Sequence, residues 1–266
     1  MPRNNFRRAA TAFCALTALT LAGCGAEPPA KPVGPGFTQI ADDTVVSQEK
    51  LAAAIAPFFE DPAVGETRAL VVMQGGRVVA ERYAPGYGPD TRLISWSMAK
   101  SVTAVLVGLM VADGRLALDE PAIVTEWQAP RDNRAKITLR HLLHMSSGLD
   151  HTEMAEDGIE IFDADTPRML FLDGRENVAR YAETRPLEAN PGEKFEYSTA
   201  TSHILADIMT RSLTDSKDPV VRRDAMLEYA RGRLFEPLGM TSFFPEFDRN
   251  GTMLGGSMIH GTARDW

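Results

Sequence analysis

The sequence predicts an α+β fold. Two runs rich in apolar and β-branched residues, 69–73 and 77–83, are joined by a Gln-Gly-Gly turn and indicate a β-hairpin. Ser47 can cap a helix over residues 48–59, ahead of this hairpin. Helical patterns then dominate a region at about 91–240. Because two strands rarely form a stable sheet alone, we expect further strands from elsewhere in the chain.

A Ser-x-x-Lys pattern, Ser97 and Lys100, opens the most apolar of these helices. Its apolar positions extend nearly all round and predict a buried helix, which ends at Asp113-Gly114: they are Val102, Ala104, Val105, Leu106, Val107, Leu109, Met110 and Val111. Residues three apart share a helix face, so the two side chains should meet at the N-terminal end. A partly desolvated lysine can take the proton of a serine hydroxyl. The pattern alone is short, and a serine at a helix start is usually an N-cap; the lysine in an apolar helix is what favours a nucleophile.

Five other segments complete the pattern along the chain. Residues 138–149 indicate a short capped helix followed by a tight turn, and 175–184 and 220–234 indicate further helices. Residues 150–175 are acidic and weakly patterned, which predicts a surface insertion. Residues 262–266 resemble the start of another helix.

The N-terminus is typical of a targeting segment. Arg3, Arg7 and Arg8 precede a short apolar run, and Leu-Ala-Gly-Cys at 21–24 resembles a bacterial lipobox. We expect a signal peptide at 1–23, a lipid on Cys24, a tether at 24–46 and a folded body at 47–266. The protein would then lie outside the cytoplasm on a membrane, at the periplasmic face of the outer membrane if the organism is Gram-negative. A plain secretory signal with a chance cysteine is the alternative.

Composition and motif content exclude several other functions. The net charge of −8, or −11 beyond residue 23, and the lack of a basic cluster argue against nucleic-acid binding. The sequence has no phosphate-binding loop, no dinucleotide fingerprint and no Gly-x-Ser-x-Gly elbow. Its five histidines lack zinc-motif spacing, so we expect no metal and no cofactor.

Tyr197 is the second residue with catalytic potential. A tyrosine beside a lysine can act as general base and then general acid, although a lone tyrosine is more often a core aromatic. The combination of motifs is more specific: Ser-Met-Ala-Lys-Ser, His-Leu-Leu-His-Met-Ser-Ser-Gly-Leu, Pro-Gly-Glu-x-Phe-x-Tyr-Ser-Thr and Pro-Leu-Gly-Met follow in order. Over about residues 48–266, this set resembles the class C β-lactamase-related serine hydrolases, most of all the 6-aminohexanoate-dimer hydrolase-like proteins and esterases.

The resemblance implies a fold and a set of roles. The fold would be that of β-lactamases and transpeptidases, an antiparallel sheet flanked by helices, with a helical region. Ser97 would be the acylated nucleophile, Lys100 and Tyr197 would transfer protons, and the Ser97 N–H would form half of an oxyanion hole. Trp96 and Thr199 would support the site. The implied reaction is cleavage of small amides or esters through an acyl-enzyme.

The sequence departs from the family at two places. Thr199 stands where most members have an asparagine that helps to hold the lysine and the substrate amide, which argues against a true β-lactamase. The third motif, Lys-Thr-Gly or His-x-Gly on a strand, is absent, and His260-Gly261-Thr262 has the wrong order. We therefore expect these residues to be the N-terminal two-thirds of such an enzyme, with an incomplete sheet and only part of the active site.

Two alternatives stay open at this point. One is a penicillin-binding D,D-peptidase or β-lactamase that acts on cell-wall peptides or β-lactams. The other is a lipoprotein that keeps the scaffold without catalysis.

Overall fold

The computed structural model describes residues 36–155 and 158–266 of the chain. The predicted signal peptide and the Cys24 lipidation site lie outside the described residues. Within the described part, no helix has both the length and the apolar character needed to cross a membrane.

The predicted hairpin is confirmed and gains a third strand. Strands β1 (Phe37–Ile40), β2 (Ala69–Gln74) and β3 (Arg77–Tyr83) form an antiparallel sheet in the order β1-β3-β2. Helix α1 (Gln48–Glu60) starts where predicted, because the Ser47 side chain accepts a hydrogen bond from the Lys50 N–H. Strand β1 lies inside the segment predicted as a tether, so residues 37–40 belong to the folded body.

A second, smaller sheet holds the end of the described chain. Strands β4 (Leu93–Ile94), β5 (Phe244–Pro245) and β6 (Ile259–Gly261) pair antiparallel in the order β4-β6-β5. The helix start predicted at residues 262–266 is wrong, since this segment is a turn. Asp265 instead accepts hydrogen bonds from the backbone and hydroxyl of Ser242, and Trp266 packs on Phe243 with ring centroids 4.8 Å apart.

Among the described residues, six α-helices lie between strands β4 and β5 in sequence. They are α2 (Ala99–Ala112), α3 (Leu139–Leu143), α4 (Asp165–Phe171), α5 (Val178–Glu183), α6 (Thr199–Leu213) and α7 (Pro219–Ala230). Helix α6 is central: residues 199–210 are all buried, and the helix contacts α2, α3, α5 and α7. The core of the described chain therefore surrounds the helix that begins two residues after Tyr197.

Helix α2 is buried on one face only. Leu106, Val107 and Met110 have no exposed surface, whereas the Val105 side chain is 48% exposed. The sequence predicts a buried helix, and this is wrong for the face that carries Val105, which is exposed to solvent. Some of its apolar residues remain exposed because, among the described residues, α2 packs against α6 and residues 231–235 on its buried face.

The predicted surface insertion at 150–175 is also wrong. Helix α4 buries Met169 and Leu170 in the main core. The Asp165 side chain is buried too, and it accepts hydrogen bonds from the Tyr181 hydroxyl at 2.7 Å and from the Thr152 N–H at 2.9 Å. The segment is acidic because some of its carboxylates serve as internal acceptors, a use that charge patterning cannot distinguish from solvation.

Candidate active site

Ser97, the predicted nucleophile, lies in a short 3₁₀ turn, Trp96–Met98, which leads into α2. The turn is fastened to β6: the Ser95 N–H donates to the Ile259 carbonyl at 2.9 Å, and the Ile259 N–H donates to Ser95 Oγ at 3.2 Å. Trp96 has a φ of +43°, a left-handed conformation that is uncommon and strained for a bulky residue. The backbone before Ser97 is thus held by its surroundings in one defined shape.

Lys100 connects three segments that are far apart in sequence. Its Nζ atom lies 3.1 Å from Ser97 Oγ, 2.9 Å from Thr199 Oγ1 and 2.8 Å from the Gly256 carbonyl oxygen. The predicted meeting of Ser97 and Lys100 at the start of α2 is therefore what the structure has. Together with its own Cε, these three atoms give the nitrogen four neighbours in all.

Tyr197 joins this group through its ring. The Lys100 Nζ atom lies 4.9 Å from the ring centroid, within cation–π range. The Tyr197 side chain is 42% exposed. Among the residues that the structure describes, no hydrogen bond joins its hydroxyl to Ser97 or Lys100. The structure therefore places Tyr197 at the exposed side of the candidate site, without a hydrogen bond to Ser97.

Thr199 lies at the buried end of the site, as the first residue of α6. The preceding Ser198 caps this helix by accepting from the Thr201 N–H. Thr199 is only 1% exposed, and its hydroxyl meets Lys100 on one side. On the other side it donates to Glu153 Oε1 at 2.5 Å, and the Thr199 N–H donates to Glu153 Oε2 at 2.7 Å. Trp96, the other predicted supporting residue, is half exposed beside Ser97.

Glu153 is a site residue that sequence reasoning missed. The Thr166 hydroxyl donates to its Oε2 at 3.1 Å, and His151 Nε2 lies 3.2 Å from the same oxygen. Burial alone would raise the pKa of this carboxyl, but the hydrogen bonds from His151 and Thr199 outweigh it and hold the pKa at about 2. The side chain is therefore a carboxylate at neutral pH. Its only sequence signal is an acid in an acidic stretch, which does not distinguish it from its neighbours.

Gly255 and Gly256 form the third wall. The Thr103 hydroxyl of α2 donates to the Gly255 carbonyl at 2.8 Å. A Cβ on Gly256 would lie 2.9 Å from Thr199 Cγ2 and 3.2 Å from His203 Cε1. Only a glycine lets the backbone approach α6 closely enough for its carbonyl to reach Lys100. The Gly-Gly pair is visible in the sequence, but the sequence does not indicate this role.

His203 lies fully buried behind Thr199. Among the described residues, its two ring nitrogens have no hydrogen-bond partner. Burial and the nearby Lys100 charge lower the pKa of this imidazole to about 3, so it is neutral. Its ring packs beside Gly256, and within the part of the chain that the structure describes no hydrogen bond joins it to Ser97. In the described ranges, Lys100 is the titratable side chain within hydrogen-bond distance of the Ser97 hydroxyl.

Comparison with known proteins finds a family model and curated relatives that match parts of the sequence. The beta-lactamase family model matches residues 61–254. The 6-aminohexanoate-dimer hydrolase of Paenarthrobacter ureafaciens is 27% identical over 151 residues, which is 54% of this chain and 38% of that protein. Esterase EstB of Burkholderia gladioli is 30% identical over 182 residues, or 64% of this chain and 43% of that protein.

A solved structure shares the fold. The octameric penicillin-binding protein homologue from Pyrococcus abyssi aligns with a TM-score of 0.58 at 22% identity, over 83% of this chain and 55% of that one. The predicted α+β fold of the β-lactamase/transpeptidase type is confirmed. The chain spans less than half the length of the two curated relatives it matches. The match of the family model over most of the sequence shows that the chain belongs to the beta-lactamase family.

Proposed function

We propose that the protein is a serine hydrolase that cleaves small amides or esters through an acyl-enzyme on Ser97. The observation that carries the proposal is the 3.1 Å contact between Lys100 Nζ and Ser97 Oγ at the start of α2. A serine becomes nucleophilic when an adjacent base can take its proton, and Lys100 is within reach to do so. The names of the two curated relatives, a dimer hydrolase and an esterase, support this choice of bonds.

The reaction proceeds in two halves. Ser97 Oγ bonds to the substrate carbonyl carbon while its proton passes to Lys100, and the N–H groups of the first helical turn favour the developing oxyanion. The bond to the leaving group then breaks as the proton that Lys100 took from Ser97 passes by way of Tyr197 to that group. Water next attacks the acyl ester, returns a proton to Ser97 and releases the acid.

Covalent labelling tests the nucleophile. The full-length protein is incubated with a fluorophosphonate probe, and turnover of p-nitrophenyl esters is followed in parallel. Wild type should be labelled and should turn over, and Ser97→Ala should lose both. Labelling that survives in Ser97→Ala would exclude Ser97 as the nucleophile.

The same assay separates the alternatives. Stable labelling by penicillin with little ester turnover would indicate a D,D-peptidase instead, and rapid penicillin hydrolysis would indicate a β-lactamase. A folded protein with neither labelling nor turnover would indicate a scaffold without catalysis.

The proposed location is outside the cytoplasm, with the protein anchored to a bacterial membrane by a lipid on Cys24. The lipobox-like Leu-Ala-Gly-Cys and the basic, then apolar, N-terminus support it. Cells fed a labelled fatty acid should incorporate it into wild type and not into Cys24→Ser. Incorporation into the variant would exclude this lipidation site.

A further inference from the structure

Glu153 has no assigned role in the proposed reaction, yet its carboxylate lies one hydroxyl away from the base. Thr199 Oγ1 stands between them, 2.5 Å from Glu153 Oε1 and 2.9 Å from Lys100 Nζ. A hydroxyl has a single proton to donate. A carboxylate can only accept, so the Thr199 proton points towards Glu153 and its oxygen is left as an acceptor for Lys100.

The direction of the Thr199 hydroxyl proton determines how the Lys100 amine is oriented. To act as a base, the amine must be in its deprotonated form, which has two N–H bonds and one lone pair. The Gly256 carbonyl can only accept, and Thr199 Oγ1 with its proton given away also accepts, so these two neighbours take both N–H bonds. The third direction is that of Ser97 Oγ, the one neighbour that can donate. The lone pair therefore faces the serine proton.

We infer that Glu153 is a positioning residue that makes Thr199 an acceptor and thereby aims the Lys100 lone pair at Ser97. The inference rests on the proposed function, because it assigns Lys100 the part of the base. Glu153 itself is held from the far side by the Thr166 hydroxyl and by His151, whose side chain is 1% exposed. The acidic segment thus orients the base from behind.

Glu153→Gln tests the inference because it keeps the shape of the side chain but replaces an acceptor for the Thr199 hydroxyl with a donor. Thr199 N–H, the Thr166 hydroxyl and His151 all converge on the Oε2 position, so the amide oxygen should occupy it. The amide NH₂ then faces Thr199 Oγ1 and donates to it. The Thr199 proton turns towards Lys100 and competes with Ser97 for the lone pair.

The experiment is a double-mutant cycle on the full-length protein, read as the second-order rate of fluorophosphonate labelling. Glu153→Gln should slow labelling by about 10- to 100-fold, the range expected when a hydrogen bond to a charged group is lost. In a Thr199→Val background, which has no hydroxyl to orient, the same change should cost less than about twofold. Glu160→Gln removes the same charge from an exposed side chain of the same segment and is the matched control.

Two results would overturn the inference: labelling of Glu153→Gln at the wild-type rate, or effects of Glu153→Gln and Thr199→Val that simply multiply. If Glu153→Gln slowed labelling only by unfolding the protein, the slowing would persist in the Thr199→Val background. If circular dichroism shows that Glu153→Gln is unfolded, Thr166→Val takes its place in the cycle, because it loosens the carboxylate without removing it. Labelling that persists in Ser97→Ala would instead refute the proposed function, independently of Glu153.

Discussion

Gly256→Ala should damage catalysis more than its small size suggests. The new Cβ would lie 2.9 Å from Thr199 Cγ2 and 3.1 Å from the Thr199 carbonyl oxygen. Unstrained carbon contacts begin at about 3.5 Å, so the backbone at residue 256 must retreat from α6 by about 0.6 Å. Overpacking of this kind costs about 1–3 kcal/mol of the free energy of unfolding.

The retreat also weakens the site chemically. The Gly256 carbonyl is 2.8 Å from Lys100 Nζ, and a shift of about 0.6 Å would carry it beyond good hydrogen-bond length. Lys100 would lose one of the two acceptors that orient it. We expect kcat/KM for p-nitrophenyl acetate to fall about tenfold, with most of the loss in kcat.

Two glycines of the same chain are matched controls. Gly108 lies inside α2, and a Cβ added there would meet no atom within 4 Å, so Gly108→Ala should raise the free energy of unfolding by up to about 1 kcal/mol and leave the kinetics unchanged. A Cβ on Gly255 would lie 2.4 Å from Thr103 Oγ1, so Gly255→Ala should destabilise the fold without touching Lys100. Urea unfolding measures the free energy of unfolding of each variant, and steady-state kinetics measure its kcat/KM. Equal losses of kcat/KM in Gly255→Ala and Gly256→Ala would refute the reasoning.

Three further predictions concern single residues. Tyr197→Phe keeps the ring over Lys100 but removes the hydroxyl, so kcat should fall at least about 100-fold with unchanged folding; a kcat within a few-fold of wild type would exclude Tyr197 from proton transfer. The pKa of Glu153 is held below the ordinary value of 4.5, at about 2, so its contribution to stability is complete above pH 4.5 and is lost as the pH falls through 2. After allowance for partial exposure, that contribution is about 2 kcal/mol, and urea unfolding of Glu153→Gln should show correspondingly less acid sensitivity between pH 5 and pH 2 than wild type. Leu106→Ala empties a fully buried position in α2 and should cost about 2–5 kcal/mol; a cost below 1 kcal/mol would contradict the packing described.

Sequence patterns predict correctly those features that depend on residues close together in the chain. The α1 helix with its Ser47 cap, the hairpin and the meeting of Ser97 with Lys100 each depend on residues within a few positions of one another. Long-range contacts are less accessible. Glu153 acquires its role from Thr199, 46 residues away, and the Gly256 carbonyl from Lys100, 156 residues away.

The wrong predictions have the same physical origin. The sequence predicts solvated acids at 150–175, because a charge pattern does not reveal which carboxylates meet buried donors. The segment at 262–266 has a helix-like start, but it forms a turn in which Asp265 accepts a hydrogen bond from the Ser242 hydroxyl. In both places tertiary partners override the local preference.

The convergence of three segments on Lys100 also has a consequence for folding. Thr199 at the start of α6 and Gly256 lie 99 and 156 residues from Lys100 in sequence, and such long-range contacts form late. A chain with its helices formed but these segments undocked has a serine of ordinary reactivity. During refolding, labelling of Ser97 should therefore return after the helical circular dichroism signal, so that the reactivity of this serine reports the completion of the fold.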